Sequence, residues 1–188
     1  MNKNKQKTCK SCKVKFITAK PLQSVCGFEC SITYAKTLTE KNNASNAVKY
    51  RKELAIRKEK LKSKSEYLKE AQRFFNIYIR KRDEKLPCIS CGTTNPNVQY
   101  AAGHYRTVGS HPELRFNELN VNKQCNHYCN SQLSGNILEY RKGLIEKIGI
   151  DNVNWLEGKH EPLHLSIEDV KAIKVKYKIL IKELENEK

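Results

Sequence analysis

The fold is decided by three short stretches of the chain: CISC (88–91), AAGHYR (101–106) and NVNKQCNHYCNSQLSGN (120–136). They contain a Cys-x2-Cys pair followed by a Cys-x3-Cys pair, and each pair can offer two sulfurs from one tight turn. Thiolates are the ligands that zinc prefers in closed, four-coordinate sites, which leave no open position for substrate. We therefore expect a structural zinc site at Cys88, Cys91, Cys125 and Cys129.

A second set of cysteine pairs lies near the N-terminus and predicts a small zinc finger over residues 1–34. Its expected zinc ligands are Cys9, Cys12, Cys26 and Cys30. A finger of this size cannot fold without its metal, so metal binding and folding should be one event. Because Lys10 and Lys13 crowd the finger, we expect it to contact DNA. Contact with a protein partner and plain structural capping remain open alternatives.

The charge balance favours a polyanionic partner. The chain has 36 Lys and Arg against 20 Asp and Glu, a formal net charge of +16. Nucleic acid is the usual partner for such a balance, although a merely soluble, lysine-rich protein would also show it. No apolar run is long enough to span a membrane, and the start of the chain, MNKNKQK, lacks the apolar segment of a secretory signal. We therefore expect a cytoplasmic protein whose cysteines bind metal and do not form disulfides.

A basic helical arm is expected at residues 35–62, with a break at NNASN (42–46). Residues 36–85 hold sixteen basic and seven acidic side chains. A helix that is polar on nearly all sides buries little. The arm is therefore either a charged spacer or a segment that contacts phosphates with a steep salt dependence.

The remaining chain, residues 63–188, is expected to form one domain around a core at 86–136. Ser63 to Glu66 fits a capping box that opens a helix to Arg82 with an aromatic stripe on one face. A helix is predicted at 137–148 and another from Ser166 to Asn186, and Trp155 between them is interpreted as a core residue. The last helix has an apolar seam, which packs within the chain or forms a homodimer contact. The predicted fold class is α+β and mostly helical.

His104, Asn120 and Asn130 lie between and beside the cysteine pairs at 88–91 and 125–129, in an order that resembles the HNH, or His-Me finger, nucleases. In the zinc-stapled members of that family, a ββα-metal unit of treble-clef type presents a histidine, an asparagine and a metal ligand. The resemblance implies that His104 is a general base, that Asn120 holds the loop and orients the His104 ring, and that Asn130 binds Mg²⁺ or Mn²⁺.

A longer resemblance narrows the family. The runs AGHYRTVGSHPELRFNELNVNKQC (102–125), CNSQLSGNI (129–137), KEAQRFFNIYIRKRD (69–83) and WLEGKHEP (155–162) are similar to the NinG (Rap) recombination proteins of lambdoid phages. This resemblance implies an endonuclease that acts on branched recombination intermediates, such as Holliday junctions or D-loop-like DNA, in the cytoplasm of a bacterial host. DNA and other recombination proteins would be its partners.

The expected chemistry is hydrolysis of a phosphodiester bond. A neutral histidine can deprotonate water near pH 7, and one divalent ion can stabilise the charge of the transition state. Arg106, Arg115 and Lys123 would position phosphates. Two alternatives are a DNA-binding recombination or regulatory protein without catalysis, and an adaptor that binds protein.

One residue departs from the wider HNH pattern. Many members carry an acidic metal ligand directly before the histidine, where this chain has Gly103. The second metal ligand stays open between Asn136, Glu113, His127 and a backbone carbonyl beside Gly103.

Overall fold

The computed structural model describes residues 5–186. Within them the fold is mixed α and β and mostly helical, as the sequence predicts, and it contains two small antiparallel sheets. The chain divides into two compact units, one ending at Leu61 and the other beginning at Lys62. Among the described residues, each helix is either too short or too polar to cross a lipid bilayer.

The first unit consists of a hairpin and one long helix. Strand β1 (Gln6–Thr8) pairs with β2 (Lys15–Ile17), and helix α1 runs from Phe28 to Leu61 without burying any residue. The break expected at 42–46 is wrong, because α1 continues through it. The segment contains neither Gly nor Pro, and asparagine costs a solvated helix less than about 0.7 kcal/mol per residue.

The second unit begins with helix α2 (Lys64–Arg82), which starts at the predicted capping box. Ser63 N–H donates to Glu66 Oε2 at 2.7 Å, and Glu66 N–H donates to Ser63 Oγ at 3.3 Å. Helix α5 (Ile167–Asn186) starts in the same way at Ser166, whose N–H donates to Asp169 Oδ2 at 2.8 Å. Both boxes satisfy backbone donors that the first helical turn leaves free.

Helices α2 and α5 pack side by side and run in the same direction. Their ion pairs follow in order, with Glu70 contacting Lys174 at 2.5 Å and Lys81 contacting Glu185 at 2.9 Å. Between these pairs, the rings of Phe75 and Tyr177 meet edge to face with centroids 4.8 Å apart. The apolar seam of the last helix therefore packs within the chain, against the aromatic stripe of α2.

A hairpin of β3 (Tyr100–His104) and β4 (Val121–Cys125) packs against α2. Residues 98–102 have strand character in the sequence, but the strand lies two residues later, so His104 is its last residue. A wide π-helical turn, Asn126–Gln132, follows β4, where the ββα resemblance implies a helix beginning near Cys129.

Two further helices complete the unit. Helix α3 (Ile137–Ile148) has the predicted bounds, and α4 (Ile150–Glu157) follows directly after Gly149. The prediction that Trp155 is a core residue is wrong. Its side chain is 49% exposed, and it lies edge-on to the His160 ring at 4.5 Å between centroids. In α4 it is Val153 and Leu156 that are buried.

A buried ionic network joins the end of α2 to β4 and α3. The Asp83 carboxylate is 1% exposed and accepts from Arg82 Nε at 2.9 Å, from Lys147 Nζ at 2.9 Å and from the backbone N–H of Lys123 at 3.1 Å. Burial alone would raise the pKa of Asp83, but the hydrogen bonds from the two cations outweigh it and the pKa is lowered. The carboxylate is therefore charged and fully paired at neutral pH.

We expect Phe75→Ala to lower the free energy of unfolding of the second unit by about 3–5 kcal/mol, because it leaves a cavity at a fully buried ring. The measurement is urea denaturation of zinc-loaded protein followed by the fluorescence of Trp155, the only tryptophan. Ile179→Ala is the control. It lies on the same helix pair with a 51% exposed side chain and should change the free energy by less than about 0.5 kcal/mol. Equal losses in the two variants would contradict the packing described here.

Candidate functional site

Four sulfurs converge where the β3–β4 hairpin meets the turn that begins at Cys88. The Sγ atoms of Cys88, Cys91, Cys125 and Cys129 all lie within 4.8 Å of one another. Cys88 and Cys129 are 3.9 Å apart, and Cys91 and Cys125 are 3.5 Å apart. A tetrahedral site with Zn–S bonds of about 2.3 Å needs sulfurs about 3.8 Å apart. The cluster can therefore hold a zinc ion.

Backbone hydrogen bonds shape this cluster before any metal is considered. The turn after Cys88 closes through Gly92, whose N–H donates to Cys88 O at 2.9 Å and whose φ of +69° favours glycine. The N–H of Ile89 donates to Lys123 O, which fastens the turn to β4. The N–H of Cys125 donates to Cys88 Sγ at 3.3 Å. Main-chain hydrogen bonds thus hold the cysteines of the turn at 88–91 and join this turn to β4.

The pKa values of the thiols indicate why a cation suits the cluster. Burial and the neighbouring sulfurs raise the pKa of Cys129 to about 12. Burial also opposes ionisation of Cys88, yet backbone hydrogen bonds from Cys91, Cys125 and Ser90 lower its pKa. Without a positive ion, repulsion between the sulfurs prevents all four from being thiolates at neutral pH, and a divalent ion removes that obstacle.

The first unit holds a matching cluster. The sulfurs of Cys9, Cys12, Cys26 and Cys30 also lie within 4.8 Å of one another, with Cys12 3.6 Å and Cys30 3.5 Å from Cys26. Cys9 and Cys12 belong to the turn between β1 and β2, whereas Cys30 is in the first turn of α1. This cluster can therefore also hold zinc, and it ties the hairpin to the helix.

A pocket of about 330 Å³ brings His104 and Asn130 together. His104 reaches it from the end of β3 and Asn130 from the π-helical turn, with Thr107 and Ser134 also in its lining. Within the described part of the chain, the Asn130 amide makes no hydrogen bond and no residue lining the pocket is acidic. The pocket therefore combines one imidazole with neutral oxygen donors.

The half-buried ring of His104 is held in one tautomer by its hydrogen bond. Its Nε2 lies 3.1 Å from the backbone carbonyl oxygen of Arg115, and a carbonyl only accepts, so Nε2 carries the proton. In the neutral ring this leaves the lone pair on Nδ1. Burial of the ring lowers the pKa of His104 below its ordinary value of 6.5, against the opposing effect of the Arg115 carbonyl. At pH 7 the ring is therefore neutral and able to accept a proton.

Asn120 is fully buried and braces the loop that contains Arg115. Its Oδ1 accepts from the backbone N–H of Arg106 at 2.7 Å, and its Nδ2 donates to the carbonyls of Arg106 at 3.0 Å and Leu114 at 3.2 Å. The structure places no direct contact between Asn120 and the His104 ring among the described residues. The connection between them is indirect, because Asn120 bonds the carbonyl of Leu114 and the His104 ring contacts the carbonyl of the next residue, Arg115.

Gly103 lies against a buried glutamine and has no room for a side chain. A Cβ atom built on it would lie 2.3 Å from Gln124 Oε1 and 3.0 Å from Gln124 Cβ. Gln124 cannot easily move, because its Nε2 donates to Ser90 Oγ at 2.7 Å and to Gly135 O at 2.6 Å. An acidic ligand before His104 is therefore excluded by packing in this chain.

The other residues expected to bind the divalent ion are dispersed. The Asn136 amide nitrogen lies 3.9 Å from Cys129 Sγ, so this side chain faces the sulfur cluster. The carbonyl of Gly103 accepts from Tyr140 Oη at 2.8 Å. Glu113 is in a short 3₁₀ turn, Pro112–Leu114, and His127 is exposed.

The residues expected to contact DNA also have defined places. Arg106 donates to His111 Nε2 at 2.7 Å, and Lys123 Nζ donates to the carbonyls of Glu84 and Leu86. In the first unit, Lys13 donates to Lys10 O at 3.2 Å, and Lys10 lies over the Tyr34 ring at 5.7 Å. The Lys123 ammonium therefore holds the turn after α2.

A second depression, which we call the α2 groove, adjoins the pocket. It has a volume of about 680 Å³ and lies between one face of α2 and the loop after β3. Its lining includes Lys69, Arg73, Asn76, Arg80, Val108 and Arg115. Val108 lines the pocket of His104 and Asn130 as well, so the two depressions share a wall.

Sequence reasoning missed two parts of this region. The contact of His104 with Arg115 uses a backbone carbonyl, which no residue pattern reveals. The α2 groove did leave a signal, because Lys69, Arg73, Asn76 and Arg80 recur at intervals of four, three and four residues. The sequence interpretation considered only the aromatic stripe on the opposite side of α2, which predicts packing, and did not consider the basic stripe.

We expect two zinc ions per chain by elemental analysis of purified, unchelated protein. Cys88→Ser should leave one ion and unfold the second unit, because the cluster fastens the turn at 88–91 to the end of β4 and to the π-helical turn. Cys30→Ser should also leave one ion but preserve the fluorescence of Trp155 in the second unit. A folded preparation with one ion or fewer would remove a zinc site from this description.

Comparison with known proteins places the chain among phage proteins. The family model described as "NinG: Bacteriophage Lambda NinG protein" matches residues 1–187. Protein ninG of Escherichia phage lambda is 48% identical over 133 residues, which are 71% of this chain and 64% of that protein. Protein ninG of Salmonella phage P22 is 48% identical over 131 residues, or 70% and 64%. Protein ninG of Escherichia phage 933W is 47% identical over 133 residues, or 71% and 65%.

The chain thus aligns with just under two thirds of the length of these relatives. No solved structure matches it. Because the family model covers almost the whole sequence and the relatives are nearly half identical, the chain belongs to the NinG family of bacteriophage proteins.

Proposed function

We propose that this protein is a metal-dependent DNA endonuclease of the HNH type that cleaves branched recombination intermediates of a phage. The observation that carries the proposal is the pocket that is lined both by His104, whose Nε2 is tied to the Arg115 carbonyl, and by Asn130. The order of elements around it, a hairpin followed by a helical turn with a four-sulfur cluster at its base, fits the resemblance to the zinc-stapled nucleases.

In this proposal His104 is the general base. Its Nδ1 accepts a proton from water while the water oxygen bonds to phosphorus and the bond to the leaving sugar oxygen breaks. The hydrogen bond to Arg115 O holds the ring in place during the transfer, and it also stabilises the imidazolium that forms. The lowered pKa of His104 keeps the ring in its basic form at neutral pH.

The pocket suits a hard divalent cation by the type of its donors. The amide oxygen of Asn130 and the hydroxyl of Ser134 are oxygen ligands, as Mg²⁺ and Mn²⁺ prefer. Such an ion would supply positive charge at the scissile phosphate and the leaving oxygen. With no acidic side chain in the lining, negative charge for binding the ion comes from the phosphate of the substrate.

The choice of DNA as substrate rests on charge and on family. The net charge of +16 favours a polyanion, and the α2 groove beside the pocket is lined by basic residues. Branched recombination intermediates are the substrates that the resemblance to the NinG (Rap) recombination proteins implies.

The second candidate is a zinc-containing protein that binds DNA in recombination or regulation without cleaving it. The observation in its favour is Gly103, where packing against Gln124 excludes the acidic ligand that many HNH nucleases use. Metal-dependent nicking of branched DNA by purified protein separates the two candidates.

His104→Ala should lower the rate of cleavage of a labelled four-way junction by about 100- to 10,000-fold, because it removes the general base. Asn130→Ala should also cripple cleavage, but with partial rescue by higher Mn²⁺, since its defect is in metal binding. Asn120→Ala should be milder, because it loosens the loop that positions Arg115 O. The measurement is single-turnover cleavage with Mg²⁺, with Mn²⁺ and with chelator.

His164→Ala is the matched control, because His164 is an exposed histidine outside the pocket. Zinc content and Trp155 fluorescence of each variant verify that the fold is intact. Near-normal cleavage by zinc-loaded His104→Ala would reject the nuclease and leave the non-catalytic candidate.

The kcat/KM for cleavage should fall as the pH is lowered, with a midpoint below pH 6.5. The pKa of His104 is lowered by burial, so the ring becomes protonated, and unable to accept a proton, only below the ordinary histidine range. The measurement is kcat/KM between about pH 5 and pH 8, together with an NMR titration of the ring that is assigned by its loss in His104→Ala. A His104 midpoint above 6.5 would contradict the burial described here.

A further inference from the structure

We propose that the α2 groove is the seat of the DNA backbone, and that it leads one strand of a duplex arm into the pocket of His104 and Asn130. This inference rests on the proposed function for the identity of the pocket. It assigns phosphate contact to Lys69, Arg73 and Arg80, on the face of α2 away from its aromatic stripe. Arg115 completes the set from the loop after β3.

The first argument is that the groove is lined by cations that form no ion pair within the described residues. The side chains of Lys69, Arg73 and Arg80 are exposed, and within residues 5–186 none of the three has an ion-pair partner. Other cations on the same helix do pair, since Lys81 contacts Glu185 and Arg82 contacts Asp83. All charged residues that line the groove are basic. Such a concave basic surface focuses a positive potential that an anionic chain can neutralise.

The second argument is the spacing along the helix. Lys69, Arg73, Asn76 and Arg80 follow at intervals of four, three and four residues, so they form one stripe. From Lys69 to Arg80 the helix rises about 16 Å, which equals about five base pairs along a duplex axis. The amide of Asn76 between the cations adds a donor of the kind that commonly contacts phosphate oxygens. The stripe therefore matches a run of consecutive phosphates and not one isolated anion.

The third argument is continuity with the pocket. Val108 lines both depressions, so a strand that leaves the groove passes directly to His104 and Asn130. Arg115 connects them more closely, because it lines the groove while its carbonyl accepts from His104 Nε2 at 3.1 Å. A phosphate bound at Arg115 would thus lie close to the His104 ring, which the Arg115 carbonyl holds in place. The groove would set which phosphate of the strand reaches the pocket.

The test compares two triple variants that remove the same positive charge. The groove variant is Lys69→Ala, Arg73→Ala and Arg80→Ala. The control variant is Lys85→Ala, Lys159→Ala and Lys182→Ala, three exposed lysines of the same unit that do not line the groove. Binding of a fluorescein-labelled four-way junction, and of a linear duplex of equal length, is measured with zinc-loaded protein across a salt series without added Mg²⁺ or Mn²⁺, so that binding is read without cleavage.

The groove variant should lower the slope of log Kobs against log salt by about three, since each lost phosphate contact removes about one unit. The control variant should leave the slope within about one unit of the parent protein. In cleavage assays the groove variant should raise KM, whereas kcat at saturating DNA stays close to that of the parent. Zinc content and Trp155 fluorescence should be unchanged, and Arg73→Glu provides a single substitution should the triple fail to fold.

Equal slopes for the groove and control variants would overturn the inference, and an acidic protein segment would then be the better occupant of the groove. The outcome is separable from that of the nuclease proposal. If binding depends on the groove but no cleavage occurs, the nuclease proposal is rejected and the groove proposal stands. If cleavage requires His104 but not the groove residues, the groove proposal is rejected and the nuclease proposal stands.

Discussion

The second unit depends on one buried carboxylate. Asp83 ends α2, and its bonds to Arg82, Lys147 and the backbone of β4 fix where the helix, the hairpin and α3 meet. From Lys147 the network continues through Asn122 and the Tyr140 hydroxyl to the carbonyl of Gly103, the residue before His104. Removing one partner of such a buried ionic set costs about 3–5 kcal/mol, because the others stay buried without compensation. The position of His104 is thus tied to an interaction on the far side of the hairpin.

Around this network, the residues that hold the frame differ from those that line the pocket. The sulfur cluster and the α2–α5 seam hold the frame, and neither contributes a side chain to the pocket. The pocket draws on the end of a strand, a braced loop and a wide helical turn. Asn120 makes that loop rigid by satisfying three of its backbone groups. In this frame a single histidine can be held in one tautomer without a carboxylate to orient it.

The sequence predicted those elements whose signals are local. The capping box at Ser63, the cysteine pairs and the apolar periodicity on α2 and α5 each depend on residues a few positions apart. The structure shows the capped start of α2, two four-sulfur clusters that can hold zinc, and the α2–α5 seam. Predictions that depended on which residues a side chain contacts in the folded chain were wrong or missing. Trp155 is apolar enough for a core, yet α4 turns Val153 and Leu156 inward instead. The contact between His104 and Arg115, and the collision between Gly103 and Gln124, join residues that no spacing rule connects.

Gly103 and Gln124 have a consequence for how this site can change in evolution. A carboxylate at position 103 is blocked while glutamine occupies position 124, and Gln124 in turn holds Ser90 of the cysteine turn and Gly135 before α3. The two positions are therefore epistatic, and a smaller residue at 124 must come first, at the cost of its two hydrogen bonds. Because that intermediate loses stability before any gain, a carboxylate at position 103 requires a destabilising first substitution at position 124.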